Sequence, residues 1–170
     1  MGTALYVGRF QPFHNGHLKV IQEILKSHTH VIIGIGSSQE KNTKENPFSA
    51  AERIKMAKLA LKEAGIGPAS YSFLKIPDVF NDVKWVEKVL KLAPQFDVAY
   101  TNNDLTKYCF QFKGIKTHGT QYFAPFKGEL IRRRILKNKP WDDSVPKAVY
   151  AYIIKIKGGP RIKKLAKKKS

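Results

Sequence analysis

Cysteine and long apolar runs are both scarce in this sequence. The first scarcity excludes an internal disulfide, and the second argues against a membrane span. The single cysteine, Cys109, has no partner for an internal disulfide, which fits a reducing compartment. No segment is long and apolar enough to cross a membrane, and the first residues lack the basic and apolar regions of a signal peptide. We therefore expect a cytoplasmic protein without a membrane span. A glycine-rich phosphate loop of the lysine-containing type is also missing.

Acidic residues are few as well, at 13 against 31 lysines and arginines, which leaves a formal net charge of +18. Such a charge attracts anions, and nucleotides are anions of this kind. From residue 155 to residue 170 there are eight basic residues and no acidic one. We predict a main domain over residues 1–157 and a basic tail over 158–170. The tail is either a solvated helix or a segment that contacts nucleic-acid phosphates without sequence preference.

Strand and helix signals alternate along the chain, whose 170 residues fit a single domain. The predicted strands cover residues 3–8, 30–35, 71–76, 97–101 and 113–118. The predicted helices cover residues 17–27, 50–64, 83–92, 103–112, 128–137 and 146–157, with a loop around 122–127. Ser49 and Glu52 have the capping-box spacing at the start of the second helix. This alternation predicts an α/β fold in three layers, with a mostly parallel sheet of about five strands covered on both faces.

The most informative stretch is the turn from the first predicted strand into the first predicted helix. It carries His14 and His17 beside the unpaired N–H groups of a helix N-terminus, where an anion binds well. Gly16 lets a ligand approach the backbone closely, and Arg9 supplies a planar cationic fork suited to phosphate oxygens. The pattern indicates phosphate chemistry, in which donors and cations surround the developing charge.

Other interpretations of the two histidines are a surface or capping role and one half of a metal site. Neither a carboxylate nor a cysteine accompanies them nearby, so metal binding is the weaker interpretation, and we predict no metal ligands from the protein. Ser37 and Asn103 follow the second and fourth predicted strands. Because ligands bind at the carboxyl ends of parallel strands, we expect both residues at the same edge as the histidine turn.

The string Gly-Arg-Phe-Gln-Pro-Phe-His-x-Gly-His, over residues 8–17, resembles the nucleotide-binding motif of the HxGH nucleotidyltransferase superfamily. Within that superfamily the chain is most similar to the archaeal-type nicotinamide mononucleotide adenylyltransferases. Further matches are residues 32–39, 45–53, 96–100, 131–134 with Trp141, and 145–149. The resemblance implies a Rossmann-like fold and transfer of AMP from ATP to nicotinamide mononucleotide, which forms NAD and pyrophosphate. It also implies Mg2+ bridging the ATP phosphates and a homo-oligomer, in particular a hexamer.

The resemblance also assigns roles to residues. It implies that His14 and His17 stabilise the phosphorane charge and that Arg9 and Arg132 hold the triphosphate. The remaining residues assigned to ATP binding are Gly8, Phe10, Gly16, Ser37, Asn103, Lys127, Gly128 and Arg133. Lys127 and Glu129 replace the hydroxyl residues of the superfamily's Ser-x-Thr-x-x-Arg motif, and a glutamate there would repel ATP unless it turns away or meets a metal ion. Because neighbouring helical residues point about 100° apart, only one or two of Arg132, Arg133 and Arg134 face one ligand.

For the acceptor, the resemblance points to Asn81, Asp82 and Trp85, with the tryptophan stacking on the nicotinamide ring. Asp82 stands where the family has asparagine, and it lacks the two donors of an amide. Trp85 is alternatively a core residue at the sheet edge. A different acceptor, or CTP in place of ATP, would explain Asp82 and Glu129. A third hypothesis is a paralogue that binds nucleotide or nucleic acid without catalysis.

Overall fold

The computed structural model describes residues 2–120 and 126–167, and the chain divides into two compact units. The sheet unit comprises Met1–Gly8, Val20–Ser38 and Gly67–Tyr122. The helical unit comprises Arg9–Lys19, Gln39–Ile66 and Phe123–Ser170. In the part of the chain that is described, no helix is both long and apolar enough to cross a membrane.

Strands and helices alternate as the sequence predicts. The strands are β1 (Thr3–Gly8), β2 (His30–Ile35), β3 (Tyr71–Lys75), β4 (Val98–Tyr100) and β5 (Lys116–His118). The helices are α1 (Asn15–Ser27), α2 (Ala50–Glu63), α3 (Asp82–Leu92), α4 (Asp104–Phe112), α5 (Gly128–Leu136), α6 (Lys147–Lys155) and α7 (Gly158–Lys167). Two short 3-10 turns, Pro68–Ser70 and Asp142–Ser144, are additional to the prediction. The predicted loop over 122–127 falls mostly outside the described residues.

The sheet unit contains a five-stranded sheet of order β3-β2-β1-β4-β5, in which every pair of neighbours is parallel. Strand β2 is apolar along its length because both of its faces are buried, as is usual in a parallel sheet. The core of this unit includes Leu5, Ile32, Val86 and Phe110, and Cys109 is buried in it. The strand order reverses between β1 and β4, and ligands of such folds bind at the carboxyl ends of the strands near that point. The predicted α/β, Rossmann-like fold is confirmed.

In the helical unit, α2 begins with the predicted capping box. The Ser49 side chain accepts a hydrogen bond from the Glu52 N–H, and the Glu52 carboxylate accepts one from the Ser49 N–H at 2.8 Å. The buried side of α2 carries Met56, Ala57 and Ala60 at helical spacing. Helix α2 packs against α6, and α7 packs against both α5 and α6.

The prediction for the C-terminal segment needs two corrections. The last predicted helix, 146–157, ends early at Lys155, since Lys157 has a left-handed φ of 54° and a new helix starts at Gly158. Helix α7 is also not simply solvated, because Ile162 and Leu165 are buried at i, i+3 spacing. Arg161 ties it down further by donating to the Glu52 carboxylate at 2.8 Å. The division into a domain over 1–157 and a tail over 158–170 stays a prediction.

Candidate active site

The histidine turn belongs to the helical unit, which the chain enters at Arg9 directly after β1. Phe10 and Phe13 are buried and stack on each other, with ring centroids 5.7 Å apart. The backbone of Phe10 has a φ of 53°, a left-handed conformation that is costly for a bulky side chain. The turn is therefore a packed structure, whose aromatic rings hold it in a strained conformation beside the histidines.

The two histidines form a reciprocally hydrogen-bonded pair. The N–H of His14 donates to Nδ1 of His17 at 3.2 Å, and the N–H of His17 donates to Nδ1 of His14 at 3.3 Å. The rings stack with centroids 3.5 Å apart and an interplanar angle of 17°. Each bond uses a backbone proton, so each Nδ1 is the acceptor, and a neutral ring then carries its proton on Nε2. The backbone of the turn thus selects the tautomer of both rings, leaving two Nε2–H donors.

Burial keeps both histidines neutral. Removal from water lowers the pKa of His14 to about 3, against a small opposing effect of its backbone hydrogen bond. Burial also lowers the pKa of His17 well below its ordinary value, and the proximity of His14 lowers it further. Neutral imidazoles at neutral pH act as hydrogen-bond donors through Nε2–H and do not act as fixed positive charges.

We expect this pair to make folding stability depend on pH below about 6.5. In that range the unfolded chain binds protons on both histidines. In the native state His14 stays neutral until pH approaches 3, and the pKa of His17 is also well below its ordinary value. The free energy of unfolding should therefore fall with decreasing pH, by about 1.4 kcal/mol per pH unit for His14. Urea unfolding at pH 7 and pH 5 tests this: His14→Gln should reduce the difference between the two values, and the control His28→Gln should not. An unchanged difference in His14→Gln would contradict the assignment.

Two glycines permit the close contacts around the pair. A Cβ on Gly16 would lie 3.1 Å from ring atoms of His14, and one on Gly128 would lie 2.8 Å from the carbonyl oxygen of Gln11. A side chain at either position would displace the histidine turn or the start of α5. The sequence predicts that Gly16 lets a ligand approach the backbone, and this stays a prediction. In the structure, the groups nearest to a Cβ at Gly16 are Cβ of Phe126 at 3.0 Å and the His14 ring.

Arg132 connects α5 to the histidine turn. Its Nη1 donates to the carbonyl oxygen of Gln11 at 2.6 Å. Its guanidinium is half-buried, and burial lowers its pKa first of all, followed by the repulsion of the nearby Arg9 charge. Glu129 and Glu45 oppose this shift. Two cations placed this close together form a site that an anion stabilises.

The histidine turn is held from the other side by the buried side chains of Gln11 and Arg53. Arg53 is fully buried and donates to the carbonyl oxygens of Arg9 at 2.8 Å and Ser49 at 3.3 Å. The Gln11 amide group donates to the carbonyl of Phe48 at 2.8 Å and accepts from its N–H at 3.0 Å. Arg53 thereby fixes the backbone of Arg9, and the Gln11 side chain joins the turn to Phe48, which makes the turn suited to positioning groups for catalysis.

A cavity of about 650 Å3 opens onto this arrangement, and we call it the phosphate cavity. Its lining carries four cations and two carboxylates together with both histidines, and these charged residues are Arg9, Lys44, Arg132, Arg133, Glu45 and Glu129. An apolar part is formed by Leu136, Ile162 and Ala166. Cations, neutral N–H donors and a helix N-terminus around one space suit a polyphosphate chain.

The helical unit contains nine of the residues assigned from sequence. Seven of them line the phosphate cavity, namely Arg9, Phe10, His14, His17, Gly128, Arg132 and Arg133. Gly16 packs on His14, and Lys127 occupies the N-cap position of α5 without a side-chain capping bond. Of the three consecutive arginines, Arg134 points elsewhere and pairs with Asp143 at 2.8 Å. Glu129, expected to oppose ATP, pairs with Arg133 at 3.3 Å and is largely exposed.

The other six assigned residues lie in the sheet unit. Gly8 is the last residue of β1, and Ser37 and Asn103 follow the carboxyl ends of β2 and β4, as predicted. Asn103 and Asn81 cap helices, accepting from the N–H groups of Thr106 at 2.8 Å and Lys84 at 3.1 Å. The remaining two residues, Asp82 and Trp85, belong to α3.

Trp85 packs on neighbouring side chains in the sheet unit. It is partly buried against the core of the sheet unit and meets the Phe110 ring edge-on, with centroids 6.3 Å apart.

The Ser37 hydroxyl donates to the Asp78 carboxylate at 3.1 Å, and Ser37 has a left-handed φ of 47°. The roles assigned to Asn81, Asp82 and Trp85 in acceptor binding stay predictions.

Sequence reasoning missed several residues around the histidine turn. They are Gln11, Lys44, Glu45, Arg53, Leu136, Ile162 and Ala166. Only Arg53 had a local signal, since it shares the apolar side of α2 with Met56 and Ala57, where a charged residue needs a buried partner. Gln11 lies within the histidine turn itself, but its buried contact with Phe48 is not visible in the local sequence. The others come from segments distant along the chain and are recognisable only once the helical unit is packed.

The described residues contain no group of three histidine, cysteine or acidic side chains that could hold a metal ion. Glu45 and Glu129 do line the phosphate cavity. Magnesium bound with a nucleotide needs only one or two protein carboxylates, because phosphate oxygens and water supply the other ligands. The donors in the cavity therefore fit a divalent cation that arrives with the phosphates.

The sequence is similar to known proteins over nearly its whole length. The cytidylyltransferase-like family matches residues 5–134. A nicotinamide-nucleotide adenylyltransferase of Thermococcus sibiricus is 42% identical over 95% of this chain and 88% of the relative. Enzymes of the same name from Pyrococcus furiosus and Methanolobus tindarius are 39% and 38% identical, over 98% of this chain and 90% and 96% of their own lengths.

Solved structures share the fold at lower identity. A bifunctional NMN adenylyltransferase/ADP ribose pyrophosphatase from Francisella tularensis has a TM-score of 0.81 and 24% identity, covering 96% of this chain and 52% of that one. A second structure of that protein, complexed with AMP and a manganese ion, has a TM-score of 0.79 at 24% identity over 96% of this chain and 51% of its own.

Proposed function

This chain belongs to the nicotinamide-nucleotide adenylyltransferases of the cytidylyltransferase-like family, and we propose that its histidine turn and phosphate cavity carry out adenylyl transfer from ATP to nicotinamide mononucleotide. The products are NAD and pyrophosphate. The observation that carries the proposal is the neutral His14–His17 pair, whose Nε2–H donors are set beside Arg9 and Arg132 in one cavity.

In the proposed reaction, a 5′-phosphate oxygen of nicotinamide mononucleotide attacks the α-phosphorus of ATP. The bond to the bridging oxygen breaks and pyrophosphate leaves, so charge accumulates on the α-phosphate oxygens and on the leaving group. The Nε2–H groups of His14 and His17 donate to these oxygens, while Arg9 and Arg132 bind the triphosphate. Their contribution is greatest in the transition state because the donors are already oriented by backbone hydrogen bonds.

This proposal needs neither a covalent intermediate nor a general base. A phosphate monoester carries its second ionisation near pH 6 and is already a nucleophile at neutral pH. The lowered pKa values of both histidines agree with this division of roles. The histidines donate hydrogen bonds, and neither is required to accept a proton from the acceptor.

We propose that a divalent cation, Mg2+ in the cell, enters with ATP and partly neutralises its phosphates. Glu45 and Glu129 are the carboxylates of the cavity that would meet it or its water ligands. A cation in this position would favour ATP binding in spite of the glutamate at the start of α5. The Francisella protein's complex with AMP and a manganese ion is consistent with a divalent cation.

The test is an assay of NAD formation from ATP, nicotinamide mononucleotide and Mg2+, with CTP and an acceptor-free mixture in parallel. We expect NAD with ATP, no product without acceptor, and little turnover with CTP. CTP is included because the family match covers cytidylyltransferase-like proteins and Asp82 departs from the pattern of the archaeal adenylyltransferases. Turnover with CTP and none with ATP would replace this proposal.

Three further properties stay predictions. They are a hexameric assembly, a cytoplasmic location, and a weak contact between the basic C-terminal segment and nucleic acid. Truncation after Gly158, suggested by the charge pattern to test that contact, would also remove the buried residues Ile162 and Leu165. Replacing the exposed Lys164 and Lys167 is the cleaner test of nucleic-acid binding.

A further inference from the structure

A second cationic cavity lies at the C-terminal end of α5, and we call it the lysine cavity. It has a volume of about 270 Å3 and is lined by residues including Ile131, Arg133, Arg134, Lys137, Lys139 and Ser144. This volume is too small for a typical organic cofactor, whose pockets start at about 300 Å3, but it is large enough for an inorganic phosphate. Its cations make it a second place in the helical unit where an anion would be stabilised.

The charges of the lysine cavity are only partly compensated. Arg134 pairs with Asp143 at 2.8 Å, and Arg133 pairs with Glu129 at 3.3 Å. Lys137 and Lys139 are exposed and form no ion pair within residues 2–120 and 126–167. The cavity therefore has an excess of about two positive charges, which matches a phosphate dianion.

The backbone holds these two lysines in a defined turn. Asn138 has a left-handed φ of 54°, the Asn138 N–H donates to Ile135 O at 3.2 Å, and the Lys139 N–H donates to Arg134 O at 2.9 Å. This is the Schellman pattern, with asparagine at the position that glycine usually occupies. Lysines at a helix C-terminus also interact favourably with the helix dipole. If interaction with the helix dipole were their whole role, neither a cavity nor anion binding would be expected at these lysines.

The two cavities share Arg133, which lines both of them. We propose that the lysine cavity binds an inorganic phosphate-type anion, including the pyrophosphate that the reaction releases. We also propose that this binding lowers the affinity of the phosphate cavity for ATP. An anion beside Lys137 and Lys139 attracts Arg133, which draws one of the cations that line the phosphate cavity away from the ATP phosphates. Anion binding itself is independent of the proposed function, whereas the effect on ATP rests on it.

The experiment titrates inorganic phosphate into protein saturated with a non-hydrolysable ATP analogue, followed by calorimetry, so that the phosphate cavity is already filled. We expect one further site, weakened at least about tenfold in Lys137→Gln/Lys139→Gln. The matched control, Lys55→Gln/Lys62→Gln, removes two exposed lysines of α2 that line neither cavity, and it should bind like the parent. Thermal unfolding verifies that both double variants are folded.

In steady-state assays, phosphate should raise the KM for ATP to a plateau in the parent and the control, with kcat unchanged, but not in Lys137→Gln/Lys139→Gln. The absence of a second site in the parent, or equal weakening in both double variants, would overturn the proposal. If a short single-stranded oligonucleotide binds to the same lysines more tightly than phosphate does, the ligand of the lysine cavity is nucleic acid and not a small anion. If the ATP analogue does not bind, the proposed function fails. The number of phosphate ions bound per chain without the analogue still shows whether the protein has two anion sites or one.

Discussion

Replacing His17 with alanine should lower kcat by about 10²–10³-fold, the usual cost of removing one oriented donor to a developing oxyanion. The variant loses the Nε2–H donor and also the Nδ1 atom that accepts the His14 N–H at 3.2 Å. The second loss frees the His14 backbone, so the orientation of the neighbouring ring is weakened as well. The measurement is single-turnover NAD formation under saturating ATP, together with thermal unfolding.

Two conservative variants separate the roles of the two ring nitrogens. In His17→Gln the amide nitrogen lies near the position of Nε2, whereas in His17→Asn the amide group lies near Nδ1. If donation from Nε2–H stabilises the transition state, glutamine should retain more activity than asparagine, although neither should approach histidine. Asparagine should better preserve folding stability, because its oxygen accepts from the His14 N–H.

His28→Ala is the matched control for the histidine variants. His28 follows α1 and contacts the Tyr100 ring in the sheet unit, and it has no assigned role in catalysis. We expect its kcat to stay within about twofold of the parent, a difference of roughly 0.4 kcal/mol. Normal turnover in His17→Ala would falsify the proposed role of the pair.

The largest expected effect on stability comes from Arg53→Met. The side chain is fully buried, and it donates to the carbonyl oxygens of Arg9 and Ser49. Methionine fills a similar volume but removes the donor to the Arg9 carbonyl oxygen and one of the two donors to the Ser49 carbonyl oxygen, which keeps the backbone N–H of residue 53 at 3.0 Å. We therefore expect a loss of about 3 kcal/mol in the free energy of unfolding. Arg53→Lys retains a charge with fewer donors, so its free energy of unfolding should lie between those of the parent and Arg53→Met.

Arg53→Met should also lower kcat/KM for ATP in the fraction that remains folded, because the backbone of Arg9 begins the histidine turn. Urea unfolding and steady-state kinetics at low temperature measure the two effects separately. Lys55→Met is the control, since Lys55 is exposed on the same helix and a surface substitution usually changes stability by about 0.5 kcal/mol or less. Parent-like stability of Arg53→Met would show that the carbonyl of Arg9 is satisfied without the Arg53 side chain.

The predicted elements agree with the structure where local chemistry decides them. Strand β2 matches residue for residue, because an apolar run bounded by polar turns has few alternatives in a parallel sheet. Helix α2 starts as predicted because Ser49 and Glu52 form the capping box by themselves. The fold class follows from the order of such elements, since short connections restrict how strands and helices alternate.

The errors occur where distant segments meet. Helix α7 reads as a solvated lysine-rich tail because its burial depends on packing against α5 and α6, which the local sequence does not reveal. Ile162 is at once a core residue and part of the phosphate cavity. Similarly, Gln11 belongs to the motif over residues 8–17 but has no role assigned from sequence, yet its side chain is buried and joins the histidine turn to Phe48.

By itself, the sequence determined that two histidines, Arg9 and a helix N-terminus stand at the end of the first strand, because their spacing along one short segment encodes that arrangement. Only the tertiary structure decided the chemical state of the site. Reciprocal backbone hydrogen bonds select the tautomers, burial lowers the pKa values of His14 and His17, and Arg132 approaches from a helix more than a hundred residues away. Proton positions and charge states depend on solvent exclusion and neighbouring dipoles, which exist only once the chain is folded.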